Sequence, residues 1–165
     1  MLERTIRKLK DGVEDGIPEP DPVLEISVDG YIPDDYIADP RYKLELYRRF
    51  AGLDYGEKDD LLDEIIDRFG EPPEEVEVLW RVACLRALCR LLHIRGISVK
   101  PGELRITFAE NAAIDPTALM QLISEQQQYM NFKSGVQAQL IFRTVKLKTD
   151  SLTWLEKNLP RLAFD

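Results

Sequence analysis

The clearest hydrophobic pattern in the chain lies in residues 58–69, which have the sequence KDDLLDEIIDRF. The apolar residues follow the i, i+1, i+4, i+5, i+8 spacing of one side of an α-helix, and they are Leu61, Leu62, Ile65, Ile66 and Phe69. The opposite side, called here the acidic face, carries Asp60, Asp63, Glu64 and Asp67. Gly70 can adopt the left-handed conformation that ends a helix, and Pro72-Pro73 prevents its continuation. The pattern predicts a short helix with a core face and an acidic face.

Two further helices are predicted to begin where an aspartate precedes a proline. The aspartate can cap the helix, and proline suits its first turn. Asp39-Pro40 begins a helix that we expect to reach about Leu53, and Asp115-Pro116 begins one that we expect to reach about Gln127. The apolar positions of the first helix predict that it buries Leu44, Tyr47, Phe50 and Ala51. Those of the second predict that Leu119, Leu122 and Ile123 face inward.

The longest predicted helix runs from Pro73 to about Ile94 and is apolar on two sides. One side carries Val76, Ala83, Ala87, Leu91 and Ile94, and the other carries Val78, Val82, Leu85, Cys89 and Leu92. A helix that is apolar on two sides packs on two sides, so we expect it to be the central element of the domain. Cys84 and Cys89 point about 140° apart on this helix, which predicts buried free thiols rather than a disulfide.

The other patterns predict strands between helices. Residues 23–28 alternate apolar and polar side chains, and two hairpins are expected over 96–109 and 129–143, turning at Pro101-Gly102 and Ser134-Gly135. A last helix is expected over 149–162, with Leu152, Leu155, Leu159 and Leu162 inward. The predicted fold class is α+β: helices around a long central helix, an N-terminal strand and two C-terminal β-hairpins. Residues 2–10 predict a short helix, and the proline-rich, glycine-rich residues 11–22 predict a linker.

Charge is distributed unevenly along the chain. The net charge is −8; residues 1–80 hold 23 acidic and 10 basic side chains, whereas residues 81–165 hold 7 and 12. The front part is therefore expected to attract basic partners, and the mildly basic back part leaves phosphate binding open. The sequence shows neither a membrane helix nor a secretory signal, so a cytoplasmic protein is the default expectation.

No sequence pattern predicts catalysis. The chain has no GxxxxGK[ST], GxGxxG or GxSxG motif, and its single histidine, His93, lies near the end of the central helix without the companions that a zinc site needs. We therefore expect no catalytic residue, cofactor or metal. The acidic face has two open interpretations. It is either a solvated surface, with Glu64 paired to Arg68 four residues later, or a site that captures arginines from another surface, since no lysine interrupts it.

Four stretches together resemble a known family. They are YIPDDYI at 31–37 with Asp39 and Arg41, YRRFA at 47–51, IIDRFGEPPEEVEVL at 65–79 and LRALCRLLHIRGI at 85–97. They resemble the C-terminal domain, or TRCF domain, of bacterial transcription-repair coupling factor. The N-terminal MLERTIRKLKDG is similar to the segment that leaves the translocase motor of that family. His93 departs from the family, which tends to have glycine there.

The resemblance implies a function that residue patterns alone do not give. The parent would be an ATP-dependent DNA translocase that displaces stalled RNA polymerase and recruits the excision-repair protein UvrA. Residues 1–22 would lead from the motor, and residues 23–165 would form a regulatory domain. That domain would dock on the N-terminal UvrB-like module and mask the surface that binds UvrA. Asp60, Asp63, Glu64 and Asp67 are the residues expected at this interdomain interface. Glu64 and Asp67 are expected to contact arginines directly through charge-assisted pairs, and Asp60 and Asp63 to add longer-range attraction.

One alternative of a different class stays open at this point. The back half of the chain could form a stand-alone nucleic-acid-binding module, using its surplus of basic residues. The net charge of −8 disfavours this hypothesis, and a salt-dependent gel shift would distinguish the two.

Overall fold

The computed structural model describes residues 21–28, 30–144 and 150–164. The helix expected over 2–10 and nearly all of the linker expected over 11–22 lie outside these residues. Within the described part, the helices are α1 (Pro40–Ala51), α2 (Lys58–Phe69), α3 (Glu74–Leu92), α4 (Pro116–Glu125) and α5 (Ser151–Asn158). The strands are β1 (Val23–Glu25), β2 (Ile94–Lys100), β3 (Glu103–Phe108), β4 (Met130–Lys133) and β5 (Gln139–Arg143). Short 3-10 turns cover Tyr55–Glu57 and Leu159–Leu162.

The five strands form one sheet in the order β1-β2-β3-β5-β4. Both predicted hairpins are present as β2–β3 and β4–β5, and the antiparallel pairing of β3 with β5 joins them. Strand β1 is shorter than predicted and lies parallel to β2, with Val23 opposite Gly96. A Cβ at Gly96 would lie 2.9 Å from the carbonyl oxygen of Val23, so glycine permits this close pairing. The α+β fold class is confirmed.

The core has two clusters, and α3 contributes to both. The larger cluster lies between one face of the sheet and helices α3, α4 and α5, and it includes the fully buried Leu104 and Ile106 of β3. The smaller cluster joins α1, α2 and the first half of α3. Cys84 and Cys89 are buried free thiols, as predicted. The four inward leucines expected near the C-terminus are all buried, although α5 ends at Asn158 and the chain continues as a 3-10 turn.

The predicted helix caps are confirmed. The Asp39 carboxylate accepts a hydrogen bond from the backbone N–H of Arg41 at 2.8 Å, and Asp115 accepts one from that of Thr117 at 3.0 Å. These bonds satisfy N–H groups that have no partner inside the helix, which explains why both helices begin at the following proline.

The prediction of which side of α1 is buried was partly wrong. Phe50 is buried as predicted, but Leu44 is 50% exposed, Tyr47 is 38% exposed and Ala51 is also exposed. Leu46 is buried with Phe50 instead. The predicted residues and the pair of Leu46 with Phe50 both have helical spacing. Packing of α1 on α2 and α3 selects the side that carries Leu46 and Phe50. The Tyr47 hydroxyl accepts a hydrogen bond from the Ile32 backbone N–H at 3.0 Å.

The two apolar sides predicted for α3 also need correction. Val76, Ala83, Leu85, Ala87, Cys89 and Leu92 are buried, whereas Val78 and Val82 are half-buried. Leu91 is 52% exposed rather than buried. The next residue, Leu92, is buried instead.

Candidate interdomain interface

Helix α2 presents the acidic face outward because its apolar side packs in the smaller cluster. Leu61 and Ile65 are almost completely buried in the smaller cluster, beside Val76 and Ala83 of α3. Phe69, expected to be core, is half-buried and lies 6.1 Å from the Tyr36 ring, measured between ring centroids. With the apolar side fixed in this way, the residues on the opposite side of the helix point to solvent.

Hydrogen bonds hold both ends of α2. At its first residue, the Trp80 indole N–H donates to the Lys58 carbonyl oxygen at 2.8 Å. After its last residue, the Tyr36 hydroxyl donates to the Gly70 carbonyl oxygen at 2.6 Å. Gly70 has the expected positive φ of 90°, but its ψ of −178° is extended rather than left-handed helical. The chain therefore leaves α2 in an extended path towards the two prolines.

The four predicted interface residues fall into two groups. Asp60, Asp63 and Asp67 are exposed, and their side chains form no hydrogen bond or ion pair with any other residue in the described ranges. Glu64 is different, because its carboxylate accepts hydrogen bonds from Arg49 of α1 and, at 3.3 Å, from Arg68 on its own helix. The local Glu64–Arg68 pair considered from the sequence is therefore present.

Glu64 belongs to a chain of four alternating charges that links α1 to α2. Arg68 also donates to Glu45 of α1 at 3.0 Å, so the order of contacts is Glu45, Arg68, Glu64 and Arg49. The hydrogen bond from Arg49 is the largest influence on Glu64 and lowers the pKa of its carboxyl group. The hydrogen bond to Glu45 similarly raises the pKa of the Arg68 guanidinium. Glu64 is thus a charge already neutralised within the domain.

The sequence interpretation missed Arg49 and Glu45. These two residues are four apart, so they lie on one side of α1, and in the structure that side faces α2. The spacing was visible in the sequence, but the pairing of α1 with α2 was not. A polar groove of about 400 Å³ opens beside this contact and is lined by Arg48, Arg49, Gly52, Leu53, Glu57, Asp60, Leu61 and Glu64.

The chemistry offered by this surface is that of acceptors for cations. Three exposed carboxylates on one rigid helix can each accept hydrogen bonds from a guanidinium or ammonium group. The thiols elsewhere in the domain have a different character, because burial raises the pKa of both Cys84 and Cys89 to about 12. They stay protonated at neutral pH, and the thiol form is a poor nucleophile.

Comparison with known proteins agrees with this fold and identifies the family. A family model described as the TRCF domain matches residues 26–119. The chain belongs to the TRCF domain family. A crystal structure of the C-terminal domain of transcription-repair coupling factor is similar, with a TM-score of 0.70 and 25% identity, over 86% of this chain and 89% of that one.

Curated relatives of this TRCF domain are much longer than the chain. The transcription-repair-coupling factor of Bacillus subtilis is 37% identical over 102 residues, which cover 60% of this chain and 9% of that protein. The transcription-repair-coupling factor of Escherichia coli strain K12 is 27% identical over 166 residues, which cover 98% of this chain and 14% of that protein. The chain thus spans a small part of the relatives it matches. Among the described helices, none has the length and apolar character needed to cross a bilayer.

Proposed function

We propose that this TRCF domain is a regulatory, autoinhibitory docking module of a transcription-repair coupling factor. Residues 23–165 dock on the N-terminal UvrB-like module of the same protein and cover the surface that UvrA needs, and residues 1–22 lead in from the translocase motor. The parent is an ATP-dependent DNA translocase that displaces stalled RNA polymerase and recruits nucleotide excision repair. The domain itself contributes binding rather than catalysis, and its expected cytoplasmic location stays a prediction.

The observation that carries this proposal is the set of unpaired carboxylates on α2. Asp63 and Asp67 are four residues apart and Asp60 is three before Asp63, so the three side chains line one side of the helix. Both ends of α2 are fixed by hydrogen bonds from Trp80 and Tyr36. Side chains on a fixed helix lose little backbone freedom on binding, which favours a specific contact over loose attraction.

The ion pairs inside the domain change the roles expected for the four acids. The sequence favoured Glu64 and Asp67 as direct contacts, with Asp60 and Asp63 adding longer-range attraction. Arg49 and Arg68 already neutralise Glu64, so an incoming arginine must share it or displace one of them. We therefore assign the direct contacts to Asp63 and Asp67. Glu64 keeps the two neighbouring arginines from repelling the partner.

The magnitudes decide how many contacts the proposal needs. A single exposed ion pair is worth about 0–1 kcal/mol, which would not hold two domains together. Close charge pairs desolvated at an interface reach roughly 1.5–7 kcal/mol in the best-studied complex. Docking through the acidic face therefore requires at least two arginines that lose water when they meet Asp63 and Asp67.

The first prediction is that the double variant Asp63→Arg with Asp67→Arg weakens docking. Isothermal titration of the chain into the purified N-terminal module should show a Kd at least about tenfold higher for the variant. Because these two side chains are exposed and form no hydrogen bond or ion pair with described residues, the thermal melt of the chain should barely change.

The matched control is Glu25→Arg with Glu110→Arg, which makes the same change in net charge at exposed positions in β1 and in the turn after β3. Its Kd should stay within about twofold of the wild-type value. Equal weakening by both double variants would show that net charge, rather than the acidic face, governs docking. Unchanged Kd values for both would leave the acidic face as a solvated surface.

A further inference from the structure

The sheet has one face that no described element covers. Helices α3, α4 and α5 pack on the opposite face, where alternate residues of β3 and β5 are buried, among them Leu104, Ile106 and Leu140. The residues between them point the other way. We call their surface the open sheet face, and it consists of Val23, Glu25, Gly96, Ser98, Lys100, Glu103, Arg105, Thr107, Asn131, Lys133, Gln139, Ile141 and Arg143.

The centre of the open sheet face is held rigid by side-chain hydrogen bonds. Arg105 pairs with Glu103 at 3.2 Å and donates to the Gln139 side-chain oxygen at 3.1 Å. The Gln139 amide donates in turn to the Thr107 hydroxyl at 3.2 Å. These bonds connect β3 to β5 across the exposed surface, so the polar groups at the centre have fixed positions before any partner arrives.

The charges on this face are positive in excess, although the whole chain is acidic. The face carries four cationic side chains and two carboxylates. Lys100 lies directly opposite Glu103 on one side, and Arg143 lies directly opposite it on the other. Of these cations only Arg105 forms an ion pair with Glu103, and the Arg143 guanidinium donates a hydrogen bond to the Gln128 carbonyl oxygen at 2.9 Å. Lys133 lies opposite the neutral Gln139, and neither Lys100 nor Lys133 has an ion pair among the described residues.

The two free lysines define the size of a complementary ligand. Lys100 on β2 and Lys133 on β4 are three strand spacings apart, and their rows differ by about four residues along the strands. At about 4.8 Å per strand and 3.3 Å per residue, their attachment points are roughly 20 Å apart on the diagonal. An extended segment of about six residues spans that distance.

The composition of the face favours an acidic polypeptide over a nucleic acid. Proteins that bind single strands stack bases on aromatic rings, and the open sheet face has no aromatic residue. The half-exposed Ile141 lies between Arg105 and Asn131 at the centre, and it suits an apolar side chain placed between carboxylates.

We propose that the open sheet face is a second binding surface, which takes an extended acidic segment of another protein across the diagonal from Lys100 to Lys133. Carboxylates of the segment pair with Lys100, Arg143 and Lys133, and an apolar side chain packs on Ile141. This surface differs from the acidic face of α2 in sign of charge and in position. The two surfaces therefore select different partners.

A nitrogen-15 NMR titration with a blocked hexaglutamate peptide at low salt tests this proposal. Amide shifts should move at Ser98, Arg105 and Ile141 and stay fixed on α4 and α5. Lys100→Glu and Lys133→Glu should each weaken binding about threefold, and together about tenfold. Lys157→Glu on α5 is the matched single control, since Lys157 is exposed in the helical layer, and it should leave affinity within twofold. The neutral variants Lys100→Gln and Lys133→Gln should weaken binding by a smaller factor.

Three outcomes would overturn the proposal. One is unchanged affinity in both glutamate variants whose spectra show a folded chain. Another is a set of shifts that maps to the helical layer instead of the sheet. The third is tighter binding of a twelve-nucleotide oligothymidylate than of hexaglutamate, lost in the same lysine variants, which would assign the face to nucleic acid.

Discussion

His93 at the end of α3 adopts a backbone conformation that suits glycine. Its φ of 57° and ψ of 47° are left-handed, and it is the one described non-glycine residue with positive φ. Its backbone N–H donates hydrogen bonds to the carbonyl oxygens of Arg90 and Cys89, and these bonds end the helix. Glycine, which the resemblance leads one to expect here, would adopt this left-handed cap without the cost of a Cβ.

The second prediction is that His93→Gly stabilises the domain. Removing Cβ relieves a left-handed strain of roughly 1–2 kcal/mol, and part of that gain is lost because glycine is more flexible in the unfolded chain. We expect a net gain of up to about 1 kcal/mol in the free energy of unfolding, measured by urea denaturation. His93→Ala keeps the Cβ and should show no such gain. A glycine variant less stable than the alanine variant would contradict this reading of the helix end.

Residue-level signals predicted the starts of elements well. Asp39-Pro40 and Asp115-Pro116 fixed two helix starts because capping depends on neighbours in the sequence. The exposure of Leu44 and Tyr47 could not be predicted, because α1 carries two apolar lines and only contacts with other helices select the buried one. The pairing of Glu64 with Arg49 was hidden for the same reason, since it requires knowing that α1 lies beside α2.

At the scale of elements, the alternating charges Glu45, Arg68, Glu64 and Arg49 connect α1 to α2. The side chains of this network are between about one third and one half exposed, so solvent screens them and each pair contributes little alone. Their value for the proposed docking is positional. They hold α2 at one angle to α1 and so set the direction in which Asp63 and Asp67 point.

The third prediction concerns Glu64→Gln and its dependence on pH. Arg49 lowers the pKa of Glu64 in the folded chain, so the ionised carboxylate stabilises the fold above the usual pKa of glutamate. That contribution is lost as the pH falls through the lowered value. The variant should lose at most about 1 kcal/mol at pH 7, and the difference from wild type should vanish in strong acid. Urea denaturation of wild type and variant at pH 7 and in strong acid would measure this. An equal difference in the free energy of unfolding under both conditions would refute the ion-pair account.

Element order was predictable, but sheet topology was not. The turns Pro101-Gly102 and Ser134-Gly135 indicated two hairpins, because hairpin pairing is local. The pairing of β3 with β5, and the parallel addition of β1 to β2, join segments far apart in sequence. Nothing local encodes those contacts, so the open sheet face could not be recognised before the sheet was known.

At the scale of the whole molecule, opposite charges lie on two different surfaces. The acidic face lies on α2, whose apolar side packs in the smaller cluster. The open sheet face is the outer side of the sheet whose inner side packs in the larger cluster, and α3 contributes to both clusters. The uneven charge in the sequence, acidic in front and mildly basic behind, thus corresponds to two surfaces of opposite sign. Such a molecule can bind a basic partner on its helical side without losing the sheet surface.

The most direct test of the central claim measures capture of UvrA by the N-terminal module while this chain is added in increasing amounts. The account predicts that the wild-type chain reduces UvrA capture with a midpoint near its own Kd for the module. Asp63→Arg with Asp67→Arg should shift that midpoint at least about tenfold upward, and Glu25→Arg with Glu110→Arg should not. Full UvrA capture in the presence of saturating, bound wild-type chain would contradict the masking of the UvrA surface.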